Sequence, residues 1–120
     1  MELIEISKSM QSKIKELETG RHIIKQRGIE KAESIAHYES AIALTILRIK
    51  NDKIEVFEGE KIDSKMPANL VEKVAKGFCW KEKLEVEKTE AFYKAAIVGM
   101  QSIMAELNAL QSINRYLDKS

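Results

Sequence analysis

The chain has 120 residues and a mass of 13.7 kDa, with 20 Lys+Arg against 19 Asp+Glu and a formal net charge of +1. That length suits one domain, and the charge balance excludes a strongly basic nucleic-acid arm and an acidic mimic of DNA. One Cys excludes an internal disulfide framework and a CxxC zinc or redox site, and one Pro with five Gly argues against a turn-rich β fold. An all-α, helix-rich domain remains.

A first helix is predicted over about residues 2–18. Leu3, Ile6, Met10, Ile14 and Leu17 recur at gaps of three and four, which places them on one helical face. Gly20 reads as a stop or a kink after it. A second helix is predicted over about residues 21–51, with a stripe of Ile24, Ile35, Tyr38, Ile42, Ile46 and Ile49. Gly28 makes Arg27-Gly28 its weakest point, because Gly inside a helix costs about 1 kcal/mol relative to Ala. Asn51-Asp52 ends the pattern. In residues 52–66, Ile54, Val56, Phe57 and Ile62 surround Glu58-Gly59, which predicts either an ordered loop or a small hairpin.

Pro67 fits a helical first turn, so a long third helix is predicted over about residues 67–117. One stripe runs Leu70, Val74, Phe78 (or Gly77), Leu84, Ala91, Ala95, Val98, Ile103 (or Ser102), Ala105, Ala109 and Tyr116. A second lies beside it: Tyr93, Ile97, Met100, Met104, Leu107, Leu110 and Leu117.

At 1.5 Å per residue the three helices span about 26, 47 and 75 Å. The first two laid end to end match the third. This predicts a long antiparallel, coiled-coil-like helical hairpin with Gly20 as a joint, in which facing residue numbers sum to about 120. Ile35 would face Leu84, Ile24 would face Ala95, and Leu17 would face Ile103. The alternative is a three-helix bundle in which the chain folds back at Gly20. Between Ala95 and Ile113 the apolar surface covers more than half of the helix circumference, and one partner helix cannot bury that much. Either the first helix folds back beside it or a second subunit packs there, so a homo-oligomer, most simply a dimer, is expected.

The same segment carries one charge, Glu106, but also Gln101, Ser102, Asn108, Gln111 and Ser112. A membrane span needs about 20 predominantly apolar residues, so a helix buried in a soluble protein is expected instead. Glu2 and Glu5 interrupt the start of the chain, so no secretory leader is expected and the cytoplasm is the default.

No reactive constellation emerges. His22 and His37 are fifteen residues apart and share no turn, and neither has a Glu three residues before it, so neither a helical zinc site nor a carboxylate di-metal site is expected. Cys79 lacks a base held by a third group and reads as a small buried hydrophobe. No catalytic residue, metal or cofactor is therefore expected. Phe78 and Trp80, around Gly77, are candidates for a partner-binding aromatic spot. Ile97, Met100, Met104 and Leu107 are the candidate interface of the surplus stripe. Arg21, Lys25, Arg27 and Lys31 cluster in sequence and are candidates for salt-sensitive phosphate contacts, with a solvated helix face as the plainer reading.

The block Val74-Ala75-Lys76-Gly77-Phe78-Cys79-Trp80-Lys81-Glu82-Lys83-Leu84-Glu85 resembles small helical proteins encoded by bacteriophages and prophages. So does the ending Ala105-Glu106-Leu107-Asn108-Ala109-Leu110-Gln111-Ser112-Ile113-Asn114-Arg115-Tyr116-Leu117. Such proteins often accompany early genes for recombination or single-strand DNA handling. The resemblance implies no active-site residue. Three functions follow as expectations: a non-catalytic oligomeric protein-interaction protein, a DNA-associated accessory factor in phage replication or recombination, and an inhibitor of a host defence enzyme.

Overall fold

A computed structural model describes residues 2–119. The described chain is all-α apart from one short hairpin. Its elements are α1 (Leu3–Lys50), β1 (Val56–Phe57), β2 (Glu60–Lys61), α2 (Ala68–Phe78) and α3 (Trp80–Lys119). Contacts gather the chain into two compact units. The terminal unit holds the residues up to Ile29 with those from Ala91 onward, and the middle unit is Glu30–Glu90.

Helix α1 corrects the expected joint at Gly20. It is one 48-residue helix that passes through both Gly20 and Gly28, so a bundle made by folding back at Gly20 is excluded. The two glycines make room rather than breaks. A Cβ at Gly20 would lie 3.1 Å from the Sδ of Met100, and one at Gly28 would lie 3.5 Å from the Tyr93 ring. The helix ends where the sequence predicts. Asp52 takes a left-handed conformation (φ 56°), its N–H donates to the Ile49 carbonyl at 3.1 Å, and the Lys53 N–H donates to the Arg48 carbonyl at 2.8 Å. That pair of bonds is a Schellman closure.

In the middle unit, β1 and β2 pair antiparallel, Val56 with Lys61 and Phe57 with Glu60. Glu58 and Gly59 both have positive φ, at 50° and 80°, as a tight two-residue hairpin turn requires. A two-stranded ribbon alone is marginal in water, and here it is anchored. The Phe57 ring lies 4.8 Å from the Phe78 ring, centroid to centroid, and sits directly over Gly77. Ile49, Val71 and Ala75 form the core, packed by Ile42, Ile46, Ile54, Ile62, Met66 and Val74.

The single long helix expected after Pro67 is divided. α2 stops at Phe78, and Cys79 (φ −94°, ψ 28°) caps it, its N–H shared between the carbonyls of Ala75 and Lys76. The ladder resumes when the Lys83 N–H donates to the Cys79 carbonyl at 3.0 Å. The Cys79 side chain is buried, with its Sγ 3.5 Å from the Thr45 hydroxyl. Nearby, the hydroxyls of Ser34 and Thr89 meet at 2.7 Å. Ser34 also reaches the Lys31 carbonyl and Thr89 the Val86 carbonyl. Two protons serve these three contacts, so one hydroxyl donates to the other and the second donates to its own helix.

Antiparallel pairing of α1 with α3 holds within each unit, and facing residue numbers sum to about 120. In the terminal unit Gly20 meets Met100, Gly28 meets Tyr93, and Lys13 pairs with Glu106. In the middle unit Lys83 lies over the Tyr38 ring, and Thr45 meets Cys79.

Candidate interaction face

The inner seam of α3 in the terminal unit is Tyr93, Ala96, Met100, Ile103, Leu107, Leu110, Asn114 and Leu117, all half-buried. Their gaps alternate three and four, the heptad spacing that keeps one stripe facing one partner helix. Most of the stripe expected to face α1 points elsewhere. Ala91, Ala95, Val98, Ser102, Ala105, Ala109 and Tyr116 are exposed, Val98 at 62% and Tyr116 at 73%. Leu84, in the middle unit, is 53% exposed and does not face Ile35 as expected; the buried neighbour on α3 is Val86. The register was legible, but the rotation of α3 about its axis was not.

The exposed face is therefore the surplus one. Val98 and Tyr116 lie on it, Phe92 and Ile113 flank the seam on one side and Met104 on the other, all among the exposed large hydrophobics. Between Ala95 and Asn114 the only charged residue is Glu106. That carboxylate accepts a hydrogen bond from the Lys13 ammonium of α1, which also reaches Glu16 at 3.3 Å. The Glu106 hydrogen bond, followed by that of Glu16, raises the Lys13 pKa above the ordinary 10.5. The one charge on this stretch of α3 is thus paired within the chain, through an ammonium that it shares with Glu16. Beside the face lies a groove of about 490 Å³, lined by Gly20, Ile23, Gly99, Met100 and Ile103 among others.

The sequence candidates scatter. Phe78 is spent on Phe57. Met100 packs on Gly20, Leu107 lies in the inner seam, and Ile97 is half-buried beside it. Trp80, at 57% exposure, lies under the Lys81 ammonium at 5.6 Å, and Met104 is exposed. Of the basic quartet, Arg21 and Lys25 are exposed, whereas Arg27 and Lys31 are half-buried. The Arg27 guanidinium lies 5.1 Å from the Phe92 ring centroid. The four do not form one exposed strip.

Gly99 was missed by the sequence reading, although a Gly amid strong helix formers was its signal. Among the described residues, no group of three or more His, Cys, Asp or Glu could hold a metal ion. No helix there is long and apolar enough to cross a membrane. No protein-family model, curated protein or solved structure matches this chain.

Proposed function

We propose that this chain is a non-catalytic helical protein that acts through protein–protein contact and assembles as a homo-oligomer, most simply a dimer. One observation carries the reading. In the terminal unit Ile6 is the one fully buried hydrophobic side chain among the described residues, while α3 exposes Phe92, Val98, Met104, Ile113 and Tyr116. Two helices with a single seam bury too little to stand well alone, since small folding units are already marginal. Exposed apolar surface of this extent marks an interaction site, and the unbroken α1 leaves no segment of its own to fold back over it.

Sedimentation at micromolar concentration tests the proposal. A dimer or higher oligomer is the expected result, and a stable monomer refutes it. The resemblance of residues 74–85 and 105–117 to phage-encoded helical proteins motivates the proposed place of action, a host cytoplasm. Genomic neighbours bear on the setting: recombination genes favour a role with early phage functions, and structural genes favour assembly.

A further inference from the structure

We infer that the hairpin holds open the interruption between α2 and α3, and that the two helices join into one when Phe57 leaves its seat on Gly77. The hairpin is a strap on a helix with two states. This stands apart from the oligomeric reading above.

The first support is the buried stripe. Val71 and Ala75 of α2, Cys79 at the junction, and Val86 and Thr89 of α3 are buried, with half-buried Glu82 between them. Their gaps are four, four, three, four and three residues. At about 100° per residue they fall within about 80° of arc on one uninterrupted helix. Val71 and Ala75 pack on Ile49, Cys79 meets Thr45, and Thr89 meets Ser34, all on α1. A continuous helix therefore presents the same side chains to the same partner.

The second is how little of the ladder is lost. One residue, Cys79, separates the two helices. Its φ of −94° and ψ of 28° compare with helical values of about −63° and −42°. Its N–H still reaches the Ala75 carbonyl four residues back, and its carbonyl still accepts from the Lys83 N–H four residues on. Among the described residues, the N–H groups of Trp80, Lys81 and Glu82 have no backbone acceptor. In a continuous helix they donate to the carbonyls of Lys76, Gly77 and Phe78. Some contact must oppose the closing of those bonds.

The third is the place of the Phe57 ring. It sits over Gly77, where a Cβ would lie 2.7 Å from its Cζ, and its centroid is 4.8 Å from that of Phe78. Gly77 and Phe78 directly precede the interruption and carry two of the three carbonyls that would close the ladder. The ring contact and the open ladder coincide. Two arrangements that share one packed face, and differ by a strap contact and a few hydrogen bonds, make a bistable element.

Amide hydrogen exchange read by NMR on the full chain tests this, using Phe57→Ala and Gly59→Val. Gly59 has φ 80°, and a Cβ there would meet nothing within 4 Å, so valine strains the hairpin turn without touching α2. Loosening alone would speed exchange across the middle unit, whereas a closed ladder slows it at three positions. In both variants the Trp80, Lys81 and Glu82 amides should exchange at least about tenfold more slowly than in the parent. Unchanged or faster exchange there in a folded variant overturns the inference. If Phe57→Ala does not fold, Gly59→Val decides by the same criterion. Failure of both to fold also overturns it, since the continuous helix would then not be a state open to the chain without its strap.

Discussion

Replacing Gly77 by Ala isolates the contact that anchors the hairpin. In an unencumbered helix this change stabilises by at most about 1 kcal/mol. Here the new Cβ would lie 2.7 Å from Cζ of Phe57, and 3.3 and 3.4 Å from the two Cε atoms. Ordinary carbon–carbon contact is about 3.5–4.0 Å, so the ring must retreat by roughly 1 Å. It cannot do so freely, because its other neighbour is the Phe78 ring at 4.8 Å. Overpacking of this kind costs about 1–3 kcal/mol. After the helix gain, a net loss of about 1–2 kcal/mol is expected, or a melting temperature lower by about 4–8 °C for a chain of this size. Urea and thermal unfolding measure it. In a Phe57→Ala background the same substitution should become neutral or stabilising, since the clash is gone and the cycle reports the coupling directly. If Gly77→Ala is as stable as the parent, or acts alike in both backgrounds, Phe57 does not sit over Gly77 and the account of the hairpin fails.

Two further outcomes follow from burial and charge. Ile49 is 1% exposed in the core of the middle unit, so Ile49→Ala should cost about 2–5 kcal/mol. Leu84→Ala, at a half-exposed position, should cost well under half of that; equal losses in urea melts would mean that α3 is rotated wrongly. Lys13 has its folded pKa raised by Glu106 and then Glu16. Its stabilising contribution is therefore fully present below the ordinary 10.5 and is lost as pH rises through the folded value. Urea stability between pH 9 and pH 12 should fall more steeply for the parent than for Lys13→Met, and parallel curves would show that the pair contributes nothing.

Much of this fold was legible in the sequence. Helix lengths and apolar spacing gave the antiparallel register, because a sum near 120 follows from arithmetic that side-chain detail does not disturb. Asn51-Asp52 and Glu58-Gly59 announced their turns, because their backbone conformations demand such residues. The rotation of α3 was not legible. Its two stripes are both heptad-spaced, and which one faces α1 depends on the partner helix. A hint lay in size: Tyr93, Met100 and Leu107 lie seven apart on the inner seam, while Ala95 and Ala109 lie outside. Gly20 was misread because a glycine in a helical pattern can mark either an end or a close neighbour, and only the position of Met100 decides. The interruption at Cys79 had a signal in Gly77 and the weak helix formers Phe78, Cys79 and Trp80, but the apolar spacing runs on through it and so reads as one helix.

That thiol has a use of its own. Cys79 is the one sulfhydryl in the chain and is 3% exposed, so a thiol reagent in solution can reach it only when its surroundings part. When reclosing outpaces modification, the rate of labelling reports how often the middle unit opens. The protein thus carries an internal gauge of its local breathing, readable without any mutation.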